Sequence, residues 1–275
     1  MDFGLPTSEL AALFAMLLAG GLVMGILAGL LGIGGGGIMV PILYELFSAI
    51  GVDEAVLMHL CVGTSLAVIM PTSLRSFFSH KAKGAADMEI IRSMALPVVA
   101  GVVIGTLVAR YSSATILTAI WAGAATMMSL KLYFGRESWK LGNDIPGNPG
   151  RSLYGLFIGI ISTLMSIGGG VFITMMMTLY GRPIHQAVGT SSGFGPMIAI
   201  PGTLGFIWAG WGVAGLPPGS LGYVSLLSVA IIVPVSVLAA PLGVRMAHGI
   251  SRRKLEIAFA TFLAIVAVRF FWTLL

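Results

Sequence analysis

The stretch His59-Leu-Cys-Val-Gly-Thr-Ser65 returns 126 residues later as His185-Gln-Ala-Val-Gly-Thr-Ser191. Each copy follows an Ile-Gly-Gly-Gly run, at 33–36 and at 167–170, and these runs stand 134 residues apart. The chain is therefore an internal duplication whose first half carries one connection eight residues longer. Both halves are apolar, and both are interrupted by helix-breaking glycines at corresponding places. A repeat of this kind constrains the architecture before any single element is assigned. Matched breaks in the apolar segments of two halves point to a membrane carrier of the repeat type, with its site where the breaks meet.

Composition fixes the solvent. Of 275 residues, 57% are hydrophobic and 9% charged, with a mean hydropathy of +1.01. A soluble domain carries about 25% charged residues, so this chain cannot cover a water-facing surface and needs lipid around it. Fifteen Lys and Arg against ten Asp and Glu give a net charge of +5. In so apolar a chain, that excess reads as basic loops on the cytoplasmic side and not as a nucleic-acid surface. The single cysteine, Cys61, excludes an internal disulfide and a cysteine metal cluster. Residues 1–9 hold Asp2 and Glu9 and no base, so no cleaved signal peptide is expected.

Apolar segments run at about 10–31, 38–50, 56–78, 93–110, 114–134, 152–167, 171–180, 186–209, 220–244 and 255–275. The segments 75–92, 131–151 and 245–254 each hold four bases and are expected inside, whereas 1–9 and 45–54 hold acids only. Arg151 and Arg182 then both lie inside, so 152–180 must enter and leave on one side, turning at Gly168-Gly169-Gly170. Its arms, at about 1.5 Å per residue, fall short of a hydrocarbon core of about 30 Å. The segment is a re-entrant hairpin, and 10–50 is its counterpart entered from the other side, with a first arm long enough to span. The expected fold is an all-α integral membrane protein of about eight helical elements in two inverted repeats, each beginning with a glycine-broken hairpin. The repeats cover 1–135 and 152–275, joined by a cytoplasmic linker at 136–151. Both termini are expected outside the cytoplasm, in a multi-pass cell (inner) membrane protein.

The candidate substrate residues lie at the breaks. Gly34, Gly35, Gly36 and Gly37, and Gly168, Gly169 and Gly170, each precede an apolar half-helix. Uncovered N–H groups at such a start, with the helix dipole, attract an anion; the alternative is close helix packing through small residues. Thr64, Ser65, Thr190, Ser191 and Ser192 add hydroxyls that can donate without adding charge, or can bond to a carbonyl one turn back. His59 and His185, one turn earlier, are candidates for proton coupling or for interface roles. No Lys, Arg, Asp or Glu falls clearly in mid-span, and the four histidines are scattered in sequence, so neither a metal site nor a cofactor is expected.

Beyond these features the chain resembles the TauE/SafE sulfite exporter family. The resemblance is carried by Gly29-Leu-Leu-Gly-Ile-Gly-Gly-Gly-Gly-Ile-Met-Val-Pro41, Val62-Gly-Thr-Ser65 and His80-x-x-x-Gly84-x-x-Asp87. In the second half it rests on Gly168-Gly-Gly170, His185-x-x-Val-Gly-Thr-Ser191 and Pro217-Pro-Gly-Ser-Leu-Gly-Tyr223. Val171 stands where a fourth glycine would complete the second run. The resemblance covers essentially the whole chain and implies a carrier of sulfite or organosulfonates such as sulfoacetate, working as an exporter. The expected partners are a small anion and the lipid bilayer, with a homodimer left open. The rival readings are an anion channel, an importer of another small oxyanion and, from a different class, a membrane-embedded enzyme.

Overall fold

A computed structural model describes residues 7–31, 36–135, 141–142, 144–246 and 252–274. The described residues form eleven helices: α1 (Thr7–Leu31), α2 (Gly36–Ala49), α3 (Glu54–Ala82), α4 (Met88–Tyr111), α5 (Ala114–Phe134), α6 (Gly150–Met165), α7 (Gly170–Leu179), α8 (Ile184–Ser192), α9 (Phe194–Ala209), α10 (Leu226–Met246) and α11 (Arg252–Thr273). With α1–α2 and α6–α7 each taken as a hairpin, and α8–α9 as one broken rod, these are the eight elements expected from the sequence. Six helices are long and apolar enough to cross a bilayer, α1 among them, while α2, α6 and α7 are shorter. Exposed Leu96, Leu238 and Ile265 face outward, an apolar perimeter of the kind a bilayer covers.

Two expected segments need correction. The stretch 186–209 is not one helix, because Gly193 separates α8 from α9. The stretch 220–244 becomes helical only at Leu226. Before it, Pro217, Pro218 and the positive-φ residues Gly215, Gly219 and Gly222 hold an irregular loop closed by a Ser220–Ser225 bridge.

Helix starts follow local chemistry. The Asp53 carboxylate accepts from the Ala55 N–H (2.8 Å) to open α3. Asp87 accepts from the Glu89 and Ile90 N–H groups (3.1 and 3.2 Å) to open α4. Ser113 accepts from the Ile116 N–H (3.3 Å) to open α5. Each occupies a donor that the first helical turn cannot satisfy itself.

Helix α3 is the centre: 83% of its apolar window is buried, against 33–44% for the other five long helices. It packs on α2, α5, α8, α9 and α10. The contacts also set direction. Gly21 lies on Ile232, Gly25 on Ser236 and Gly243 on Ile26, so α1 and α10 run parallel. Gly155 lies on Val98 and Gly105 on Ile160, so α4 and α6 run parallel too. Gly63 meets Phe206, Gly202 meets Leu66 and Gly195 meets Ser73, making α3 and α9 antiparallel. Helices α5 and α11 are also antiparallel: Trp121 packs edge-on against Phe270, and Ser129 donates to the Ala260 carbonyl (2.8 Å). Arg253 closes that pair by donating to the Leu132 carbonyl (2.8 Å).

These directions gather the ends of α3, α5 and α10 with the starts of α4, α6, α8 and α11. That end carries Arg75, Lys81, Lys83, Arg92, Lys131, Arg151, Arg182, Arg245, Arg253 and Lys254. At the opposite end, the described bases are Arg110, which lies 3.8 Å above the Trp208 ring, and Arg269, which pairs with Glu45 at 3.3 Å.

Candidate functional site

The two hairpin turns meet. A Cβ on Gly36 would fall 1.5 Å from the Ser166 carbonyl oxygen, and one on Gly37 would fall 3.6 Å from the Ile167 side chain. Only glycine permits the first approach. Ser166 ends α6 in the left-handed region (φ 52°) with its N–H on the Ser162 and Thr163 carbonyls. Gly169 opens α7 at φ +70°, with no side-chain cap. Gly34 and Gly35 lie outside the described residues.

Beside the second turn lies a small cavity lined by Ala28, Thr72, Ser73, Ser76, Gly168, Ser192 and Gly195. Its polar lining is hydroxyl, with no acid and no base. Thr72 donates to the Val68 carbonyl and shares a 3.1 Å contact with the Ser236 hydroxyl. Ser73 donates to Met70 (3.0 Å) and Ser192 to Gly189 (2.6 Å), each one turn back. Ser76 is 93% buried, yet its Oγ has no partner. A buried hydroxyl without a partner loses hydrogen-bond energy that a ligand can restore. The other three hydroxyls are held by carbonyls of their own helices, from which a χ1 rotation would release them.

Of the residues singled out in the sequence, Gly168 and Ser192 line this cavity. Thr64 and Thr190 do other work. The Thr64 Oγ1 accepts the Ser225 N–H at 2.9 Å, and the Thr190 Oγ1 accepts the Asp87 N–H at 2.8 Å. The preceding glycines leave room for the same loops: a Cβ on Gly63 would lie 2.1 Å from the Tyr223 carbonyl, and one on Gly189 would lie 2.5 Å from that of Ala85. Each Gly-Thr pair thus docks the loop that opens α10 or α4, one half holding the other. This explains the His80-to-Asp87 and Pro217-to-Tyr223 motifs. Gly84 (φ +67°) turns the chain after α3, and Asp87 both caps α4 and meets Thr190.

Ser65 is fully buried with its Oγ unpartnered, and Ser191 donates to the Val188 carbonyl (2.9 Å). Neither lines the cavity. The two histidines are separated. His59 is 3% exposed, donates from Nε2 to the Ala109 carbonyl (2.9 Å) and stacks on Tyr223 (4.9 Å between centroids). His185 is exposed at the start of α8. Among the described residues, no group of three or more His, Cys, Asp or Glu side chains is placed to hold a metal.

Sequence reasoning missed Thr72, Ser73 and Ser76. Their signal was present: three hydroxyls within five residues, directly after Pro71. The repeated motif drew attention to an earlier turn of α3, because nothing at 198–202 repeats these hydroxyls.

The family model described as "Sulfite exporter TauE/SafE" matches residues 17–270. A probable membrane transporter protein of Haemophilus influenzae is 35% identical over 257 residues, covering 91% of this chain and 95% of that one. A probable membrane transporter protein of Methanocaldococcus jannaschii is 28% identical over 265 residues, covering 94% and 96%. A third, from Bacillus subtilis, is 26% identical over 195 residues, covering 69% and 77%. No solved structure gives a significant match.

Proposed function

The chain belongs to the TauE/SafE sulfite exporter family and is a multi-pass membrane transporter; on that premise we propose that it carries a small sulfur-containing oxyanion, sulfite or an organosulfonate such as sulfoacetate, out of the cell by alternating access. The observation that carries this reading is the cavity at Gly168, where Thr72, Ser73, Ser76 and Ser192 converge with no charged side chain. Neutral donors hold an anion without binding it too tightly to release. The adjacent start of α7, uncapped by any side chain, adds the positive end of a helix dipole. A cation would instead call for carboxylates or exposed carbonyls.

In this reading the two halves are inverted repeats, and the support is directional. Helices that correspond by sequence, α3 with α9 and α5 with α11, run antiparallel, while α1 pairs with α10 as α6 pairs with α4. The base-rich end faces the cytoplasm of an inner-membrane protein, which puts both termini outside. Expulsion of a monoanion from an inside-negative cell is then favoured by about 2.3 kcal/mol per 100 mV. A proton gradient through His59 or His185 is a second source of drive. The glycine turns, Ser65 and Ser191 border the path in this scheme.

The test is a thermal-stability screen of purified protein against sulfite, sulfate, thiosulfate and sulfonates, followed by flux in liposomes. A rise in Tm with sulfite or a sulfonate, together with saturable flux, supports the proposal. Stabilisation by none of them removes the sulfur oxyanion assignment, and currents far above carrier turnover make the protein a channel.

A further inference from the structure

The two halves share a scaffold, but among the described residues the hydroxyl cavity lies to one side of their axis. The repeat offset of 126 residues superposes α3 on α8–α9, and the packing obeys the same offset. The contacts Leu66 with Gly202 and Ser73 with Gly195 lie symmetrically about a point between Pro71 and Met197. On the base-rich side of that point stand Thr72, Ser73, Ser76, Ser192 and Gly195, around the cavity. Their counterparts on the far side are Ile198, Ala199, Gly202, Leu66 and Ile69. Ser192 and Ser76 are small and leave space. Their counterparts fill it: Leu66 reaches within 3.2 Å of where a Gly202 Cβ would stand. Ile69 lies against Gly36 of the first turn, and Ile198 lies against Gly169 of the second. Leu66, Ile69 and Ile198 are all fully buried.

From this broken symmetry we infer that Leu66 closing on Gly202, backed by Ile69 and Ile198 over the two turns, is the apolar seal that shuts the hydroxyl cavity from the end of the molecule remote from its bases. This rests on the carrier reading above and deepens it: the cavity is the binding element, and the anion enters it from the base-rich end. An anion cannot shed its water to cross a dry layer of Leu and Ile, so passage requires α3 and α9 to shift at Leu66–Gly202. The asymmetry sets the hydroxyls of Thr72, Ser73, Ser76 and Ser192 on one side of the axis against Leu66, Ile69 and Ile198 on the other, each side drawing on both copies.

The experiment uses Ser76→Cys in a Cys61→Ala background, in liposomes of known orientation. The probe is an anionic, membrane-impermeant methanethiosulfonate added to one side at a time. Labelling is expected from the base-rich side alone. Adding Leu66→Ser, which gives the seal its counterpart's residue, should raise labelling from the far side by about tenfold or more, as lowering a barrier by about 1.4 kcal/mol would. Ile198→Thr, matched to Thr72, carries the same expectation and replaces Leu66→Ser if that protein does not fold. Equal labelling from both sides in the parent, no labelling from either, or unchanged far-side protection in a folded seal variant would overturn the inference. Sulfite efflux from parallel liposomes of protein with Ser76 intact separates the two claims. If sulfite is not carried, efflux is absent throughout while the sided labelling stands; if the seal is misassigned, the labelling fails whatever sulfite does.

Discussion

Thr64 and Thr190 give their oxygens to backbone N–H groups of the opposite half, whereas Ser76 keeps a buried hydroxyl free beside the cavity. The two kinds of hydroxyl therefore separate by assay. Thr190→Val leaves the Asp87 N–H without its acceptor, and should cost about 1–3 kcal/mol of stability, read as a lower Tm with anion affinity per folded molecule little changed. Ser76→Ala should do the reverse. Tm should hold, while loss of a hydrogen bond to a charged ligand, about 1.5–3 kcal/mol, weakens anion binding roughly ten- to hundredfold in titration calorimetry. If Thr190→Val lost affinity without losing stability, the docking role would be wrong.

At the scale of elements, glycines decide how closely helices and turns approach. Gly36 on the Ser166 carbonyl joins the two hairpins, and Gly25 on the Ser236 carbonyl, where a Cβ would lie 2.4 Å away, joins α1 to α10. Both contacts are with backbone, which cannot rotate away as a side chain can. Gly36→Ala should therefore prevent the hairpins from docking, seen as loss of a monodisperse peak on size exclusion. Gly25→Ala must push α1 from α10 and should cost about 1–3 kcal/mol as an overpacked contact, measured by thermal unfolding. Gly169 differs. A Cβ there meets the movable Ile198 Cδ1 at 2.7 Å, but φ +70° opposes any side chain. Gly169→Val should leave folded protein of lower Tm that fails to transport in liposomes, because the turn beside the cavity is distorted. Normal flux per folded molecule would remove that turn from the path.

For the whole molecule, the sidedness of charge and the direction of the helices make one prediction. Single cysteines at Asp144 and at Trp211, both exposed, stand at opposite ends of the bundle. In a Cys61-free protein expressed in intact bacteria, an impermeant maleimide should label position 211 from outside and leave 144 protected until the cells are opened. Outside labelling of 144 would reverse the orientation and with it the direction of drive. Labelling of both from one side would break the inverted-repeat scheme itself.

The amino-acid sequence by itself determined the solvent, the helices and the duplication, because hydropathy, glycine breaks and repeated motifs are local properties written along the chain. It also located both glycine breaks, and for 152–180, whose arms are too short to span and are flanked by Arg151 and Arg182, it gave the hairpin as well. What only the tertiary structure decided is where each hydroxyl stands and what it bonds to. Thr64 and Thr190 are indistinguishable from binding residues until the Ser225 and Asp87 N–H groups are seen against them. Thr72, Ser73 and Ser76 look like scattered polar residues until α3 crosses α9 and Gly195 and Gly168 close around them. The reason is physical: a motif repeats because both halves need the same joint, whereas the hydroxyl cavity lies where the halves differ, and that difference acquires meaning only once the two are packed face to face.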